Sequence, residues 1–198
     1  PNLELIMKSV NARWVYGLSA TPKRSDGLEG IIYMQCGPIR HKVDPKEQAA
    51  EQGFRRVLRP RFTRIRLAGL EQGTSFNQVV DRLCDHGARN ALIVEDALNA
   101  VKSGRAPLVI TKLKRHAADL AKLLREAGVE AVLLTGEGTA REKRERIEWA
   151  RSTTGVRHVI VATGSYIGEG FDLPQLDTLL LASPYSWEGV ITQYSGRL

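Results

Sequence analysis

With 198 residues, 42% of them apolar and 26% charged, the chain has the make-up of an ordinary globular protein large enough to bury a core. No apolar run is long enough to span a bilayer and no signal-peptide pattern opens the chain, while Cys36 and Cys84 stand far apart without a CxxC; membrane insertion, a disulfide scaffold and a zinc site are therefore not expected, and a reducing, cytoplasmic setting is. The net charge of +7 is concentrated in Arg55, Arg56, Arg59, Arg61, Arg64 and Arg66, a stretch with no acid, which reads either as a solvated linker or as a phosphate-facing patch.

In chain order, residues 3–12 predict the end of a helix, and 14–21 (WVYGLSAT) and 28–43 each predict a strand. Residues 44–60 are polar and charged without apolar periodicity and read as a linker; 62–67 (FTRIRL) alternate and are expected to open a second sheet. Two helices follow between 75 and 103, on Phe76, Val79, Val80 and Leu83, then Leu92, Ile93, Ala97, Ala100 and Val101. Gly87 is expected to break them apart and Gly104 to end the second, with Arg89 and Asn90 as caps or surface groups.

From residue 107 the pattern becomes strand, helix, strand, helix. PLVIT (107–111) is a strand, and Leu113, Ala117, Leu120, Ala121 and Leu124 form an apolar helical stripe stopped by Gly128. A strand over 129–135 leads to Thr139 and Glu142, a capping box that opens a charged helix to about Arg151. HVIVAT (158–163) and DTLLLAS (177–183) are strands. Between them lies a loop with Gly164, Gly168, Glu169, Gly170 and Asp172. A last helix carries Gln193 and Arg197, four residues apart and so on one face. Near-continuous apolar strands separated by helix-length segments predict an α/β fold, a parallel sheet covered on both faces.

Such sheets bind ligands at the carboxyl ends of their strands. There, glycine-freed N–H groups and a projecting arginine suit phosphate, and an acid such as Asp172 suits sugar hydroxyls. His41, His86, His116 and His158 show no metal-ligand spacing, and no metal is assigned.

The segments ATGSYIGEGFDLP (162–174) and QYSGR (193–197) resemble motif V and the start of motif VI of superfamily 2 helicases. GLSATP (17–22) resembles motif III, VITK (109–112) with His116 resembles motif IV, and LTGEGT (134–139) resembles the loop that lies on a bound strand's backbone. The order and spacing are similar to those of DEAD/DEAH-type helicases and the res subunit of type III restriction enzymes. Phe171 stands where the family usually has an aliphatic residue.

The resemblance implies a RecA-like, P-loop NTPase-type sheet cut short at its C-terminus. It divides the chain into the end of a first RecA-like domain (1–43), a basic linker (44–60) and most of a second domain (61–198). It further implies that Arg197 is catalytic, reaching a γ-phosphate. Gly170, Asp172, Gln193 and Arg197 would line the nucleotide. Thr111, Lys112, Thr135, Gly136 and Thr163 would touch nucleic acid, DNA in preference to RNA. Ser19, Ala20 and Thr21 would couple the domains. ATP and Mg2+ would serve the full-length protein and neither is expected on this fragment, because no GxxxxGK[ST] and no Asp-Glu pair occurs in it. The missing N-terminal RecA-like domain is the implied protein partner. Two other readings stay open: a non-enzymatic nucleic-acid-binding or regulatory module derived from a helicase, and an unrelated nucleotide-binding enzyme such as a methyltransferase.

Overall fold

A computed structural model describes residues 5, 9–19, 27–44, 57–63, 65–66, 73–152, 158–167, 173–185, 191 and 194. The chain divides into two compact units, Pro1–Phe62 and Thr63–Leu198.

In the first unit, helix α1 (Glu29–Cys36) occupies the segment expected to be a strand. The signal was available: Leu28, Ile31, Ile32 and Cys36 recur at helical spacing, and Glu29 complements the positive end of the helix. Residues 14–19, also expected as a strand, adopt no regular structure. Trp14, Tyr16 and Leu18 are exposed there, and a Cβ at Gly17 would lie 3.1 Å from Cys36 Sγ. Nor do the described residues of 62–66 join a sheet; alternation alone, in a run carrying arginines, does not recruit a partner strand.

The second unit opens with α2 (Phe76–Cys84) and α3 (Gly87–Lys102). Ser75 and Gln78 form a reciprocal capping box, with Gln78 N donating to Ser75 Oγ (3.3 Å) and Ser75 N to Gln78 Oε1 (2.9 Å). Gly87 is not the breaker expected; it is the first residue of α3, and His86 caps that helix by accepting from Arg89 N at 3.4 Å. Then come β1 (Pro107–Thr111), α4 (Lys114–Glu126), β2 (Glu130–Leu134), α5 (Ala140–Ser152), β3 (His158–Thr163), the short α6 (Gly164–Ile167) and β4 (Thr178–Leu181). Gly104 and Gly128 follow α3 and α4 with φ of 77° and 83°, the left-handed ends that the sequence predicted. Thr139 and Glu142 make the expected box, with Thr139 N on Glu142 Oε2 at 2.7 Å and Glu142 N on Thr139 Oγ1 at 3.3 Å. These bonds hold the Glu142 carboxylate below its usual pKa.

All four strands are parallel, in the order β2-β3-β1-β4. Side chains alternate between two cores. Val109, Ala131, Val159 and Val161 meet Ala97, Val101, Ala117, Leu120 and Leu124 of α3 and α4. On the opposite face Leu108, Ile110, Val132, Ile160 and Ala162 meet Ala150 of α5, Ile167 of α6, Leu173, Leu176 and Tyr194. Among the described residues β2 is an edge strand. Its Ala131 carbonyl accepts from Arg125 Nη2 at 2.6 Å.

The connections position the site. After β1 the chain crosses by α4 on one face to β2; after β3 it leaves by α6 on the other face toward β4. Adjacent central strands whose continuations diverge to opposite faces open a crevice at their carboxyl ends. Thr111 and Thr163, the last residues of β1 and β3, pair in register there.

Candidate nucleic-acid and nucleotide interface

Because every strand runs the same way, the loops after β1, β2, β3 and β4 gather on one edge of the sheet. Lys112 follows β1, Thr135–Thr139 follow β2, Gly164–Ile167 follow β3, and Ala182–Tyr185 follow β4.

The three threonines in the expected nucleic-acid set are all buried: Thr111, Thr135 and Thr163. Thr111 is turned away from solvent altogether, its Oγ1 lying 2.7 Å from His116 Nδ1 and 2.8 Å from Ser183 Oγ. As a side-chain contact for a strand it is therefore corrected to a buried anchor. Thr163 Oγ1 lies 3.4 Å from Ser165 Oγ, and Ser165 is exposed. The sequence reading overlooked this second hydroxyl because it expected a loop where α6 turns. Lys112 is exposed, and Gly136 is half-buried beside the Tyr166 ring. Glu137 pairs with Lys114 at 3.1 Å, and its carbonyl accepts from Arg146 at 3.2 Å, so both α4 and α5 hold the loop after β2.

His116, which accompanies the segment resembling motif IV, is fully buried. Asn90, read as a cap or surface group, is buried with it: Nδ2 donates to the Cys84 carbonyl (2.7 Å) and Oδ1 lies 3.0 Å from His116 Nε2. Since Oδ1 can only accept, Nε2 carries the proton. Burial first, then the Arg89 charge, pushes the His116 pKa down to about 4. The ring is therefore neutral at pH 7 and Nδ1 accepts from Thr111. Thr111 has then spent its hydrogen, so Ser183 donates to Thr111 and in turn accepts from Lys112 N at 3.1 Å. Every polar atom in this chain has one assigned role, and together they tie the ends of β1 and β4 to α3 and α4. Arg89 adds Nη2 to the Ala182 carbonyl at 2.7 Å, while burial lowers its pKa. No sequence pattern marks such a network, because its contacts span 5 to 93 residues.

Ser19 is the described member of the SAT triplet and is exposed. Ala20, Thr21, Gly170, Asp172, Gln193 and Arg197 lie outside the described residues. Tyr194, inside the QYSGR segment, is described and informative. It is buried, its ring meets Tyr185 edge-on at 5.5 Å and 77°, and burial raises its pKa. A Cβ at Gly164 would lie 2.9 Å from Tyr194 Cζ and closer still to its hydroxyl. Tyr194 therefore packs directly on Gly164, the residue that follows β3. Replacing Gly164 by Ala is expected to displace the Tyr194 ring and to lower stability by about 1–3 kcal/mol in urea unfolding. Tyr194→Phe in the same chain should recover part of that loss, and a neutral Gly164→Ala would contradict this packing.

Residues 89–198, more than half of the chain, match the family described as helicase conserved C-terminal domain. The chain belongs to that family. The helicase C-terminal domain is 31% identical over 112 residues to transcript termination protein OPG145 of monkeypox virus and, equally, to transcript termination protein A18 of ectromelia virus. Each alignment covers 56% of this chain and 22% of the relative, so the chain spans about a fifth of the length of these relatives. The structure of T4 UvsW aligns with 64% of this chain and 26% of its own, at a TM-score of 0.54 and 18% identity, a likeness of fold. The all-parallel, helix-covered sheet expected of a superfamily 2, RecA-like domain is thus present.

Proposed function

We propose that the helicase C-terminal domain forms one wall of an ATP cleft in a nucleic-acid helicase or translocase, and that ATP turnover there drives movement along a strand. The observation that carries this reading is the packing of Tyr194 on Gly164. Tyr194 lies between Gln193 and Arg197 in sequence, and Gly164 opens the run that leads to Gly170 and Asp172, which supports a reading in which both runs serve one site. In this reading Asp172 takes ribose hydroxyls, Gly170 leaves room for the nucleotide, Gln193 steadies the network, and Arg197 reaches the γ-phosphate. Ser19, Ala20 and Thr21 relay the state of that cleft between domains. The phosphate cradle is supplied by a preceding RecA-like domain, since these residues contain no GxxxxGK[ST]. Among the described residues no three metal-ligating side chains cluster; in this reading Mg2+ arrives with ATP and no step here runs through it.

The strand is held by its backbone. Lys112 and the Gly136 loop offer charge and N–H groups on the edge that bears Thr163 and Ser165, while Thr111 and Thr135 support these loops from beneath. Backbone contacts position a protein without reading sequence. The poxvirus relatives are named transcript termination proteins, which fits a motor that grips many sequences alike. The restriction-enzyme-like motifs favour DNA as the strand.

The test is ATP hydrolysis by the whole protein, with and without single- or double-stranded DNA. Turnover is expected to rise with DNA of any sequence and to fall steeply with salt, whereas the 198 residues alone should show none above background. Metal-dependent hydrolysis by the 198 residues alone, or whole-protein turnover indifferent to nucleic acid, would refute this assignment.

A further inference from the structure

Lys112 is an exposed cation on the strand-end edge, and two contacts fix it. Its backbone N donates to Ser183 Oγ at 3.1 Å, so its Cα is bound to the buried network. Its Nζ stands over the ring of Phe76, 4.4 Å from the centroid. Phe76 is the first residue of α2, immediately after the Ser75–Gln78 capping box, and is 40% exposed. That helix is held in turn by the burial of Val80 and Cys84 and by Arg115, which pairs with Asp81 at 2.8 Å and also with Asp85. The aromatic ring is thus rigidly mounted and half-open to solvent.

An exposed aromatic at this place does little for the core. It does restrict a lysine, whose flexible side chain otherwise samples many rotamers. A ring face attracts an ammonium without neutralising it, unlike a carboxylate. The result is a full positive charge held in one direction at the edge where a strand's phosphates would pass.

We infer that Phe76 is a positioning residue for nucleic-acid binding: it aims Lys112 at a backbone phosphate of a single strand. This rests on the nucleic-acid reading above and deepens it by adding a residue from outside the segment that matches the family. Phe76 itself adds no charge. The two residues therefore leave different signatures, because the salt dependence of binding counts cations whereas affinity at fixed salt also senses how well they are placed.

The experiment measures binding of the whole protein to fluorescently labelled oligothymidylate and oligouridylate across a salt series. Phe76→Leu should weaken binding about two- to five-fold at fixed salt and leave the slope of log affinity against log salt unchanged. Phe76→Trp should restore affinity, which a purely structural role for the ring would not do. Lys112→Ala should weaken binding and reduce the slope by about 0.7, and Phe76→Leu added to it should have no further effect. If Lys112→Ala changes neither affinity nor slope, the phosphate contact itself is wrong. If Lys112→Ala behaves as expected but Phe76→Leu binds normally, or Phe76→Trp fails to rescue, the contact stands and the positioning role falls. An equal effect on both oligomers marks the phosphate backbone as what is read, and loss with only one overturns that part of the inference.

Discussion

Arg197→Ala is expected to lower nucleic-acid-stimulated ATP turnover of the whole protein by about 10³-fold or more. The argument is electrostatic. As the γ-phosphoryl group leaves, charge spreads over its equatorial oxygens, and a guanidinium fork already in place stabilises them without reorganisation. Lysine has the charge but not the planar fork, so Arg197→Lys should recover little of the rate. The loss should fall on kcat rather than on KM, since the interaction strengthens in the transition state. Tyr194, three residues earlier in sequence, is seated on Gly164. Tyr194→Ala should therefore reduce turnover too, by less than Arg197→Ala. Turnover by Arg197→Ala within about threefold of the parent would remove the arginine from the reaction.

His116→Ala is expected to be the most damaging single change to folding, by about 3–5 kcal/mol at pH 7. It deletes a fully buried ring, takes the acceptor from the Thr111 hydroxyl hydrogen and takes the donor from Asn90 Oδ1, combining a cavity with one unmet donor and one unmet acceptor. The same residue makes stability depend on pH. Its folded pKa of about 4 lies below the ordinary histidine value of about 6.5, so between these values the unfolded chain binds a proton that the folded one refuses. Its contribution is therefore complete above about pH 6.5 and is lost as the pH falls toward 4, a span corresponding to about 3 kcal/mol. Carboxylates titrate in the same range, so the informative quantity is the difference between parent and His116→Ala. That difference, measured by denaturant unfolding, should shrink from pH 7 to pH 4. A constant difference, or a His116 ring signal titrating near 6.5 by NMR, would show that the ring is not held neutral in this network.

What the residues declared by themselves, and what they hid, follows from how far each signal reaches. The strands over 107–111, 130–134 and 158–163 and the stripe from Ala117 to Leu124 were legible, since burial on both faces leaves continuous apolar runs and burial on one leaves a helical period. The cap at Thr139 and Glu142 was legible for the same local reason. The segment 28–43 was misread because its helical spacing was passed over in favour of its apolar run. The role of Gly87 was misjudged because a glycine can open a helix when the residue before it supplies the acceptor. The burial of Asn90 is not legible because single polar residues near the start of an amphipathic helix are usually caps or surface groups, and the burial of His116 is not legible from the motif IV resemblance. Only the pairing of β1 with β4 brings Ser183 beneath Thr111, and that contact spans 72 residues. The motif segments announced the family, but the burial of Thr111, Thr135 and Thr163 could be seen only once the sheet was assembled.

The Arg125 guanidinium on the Ala131 carbonyl has a consequence for behaviour in concentrated solution. A bare rim of sheet invites a strand from another molecule to add itself, and a β2 sequence of EAVLL (130–134) is apolar enough to reward that. With its carbonyl oxygen already engaged, residue 131 withdraws an acceptor such an intruder would need, and a charged side chain stands in its path. Arg125, at the close of α4, thus occupies an acceptor of this strand.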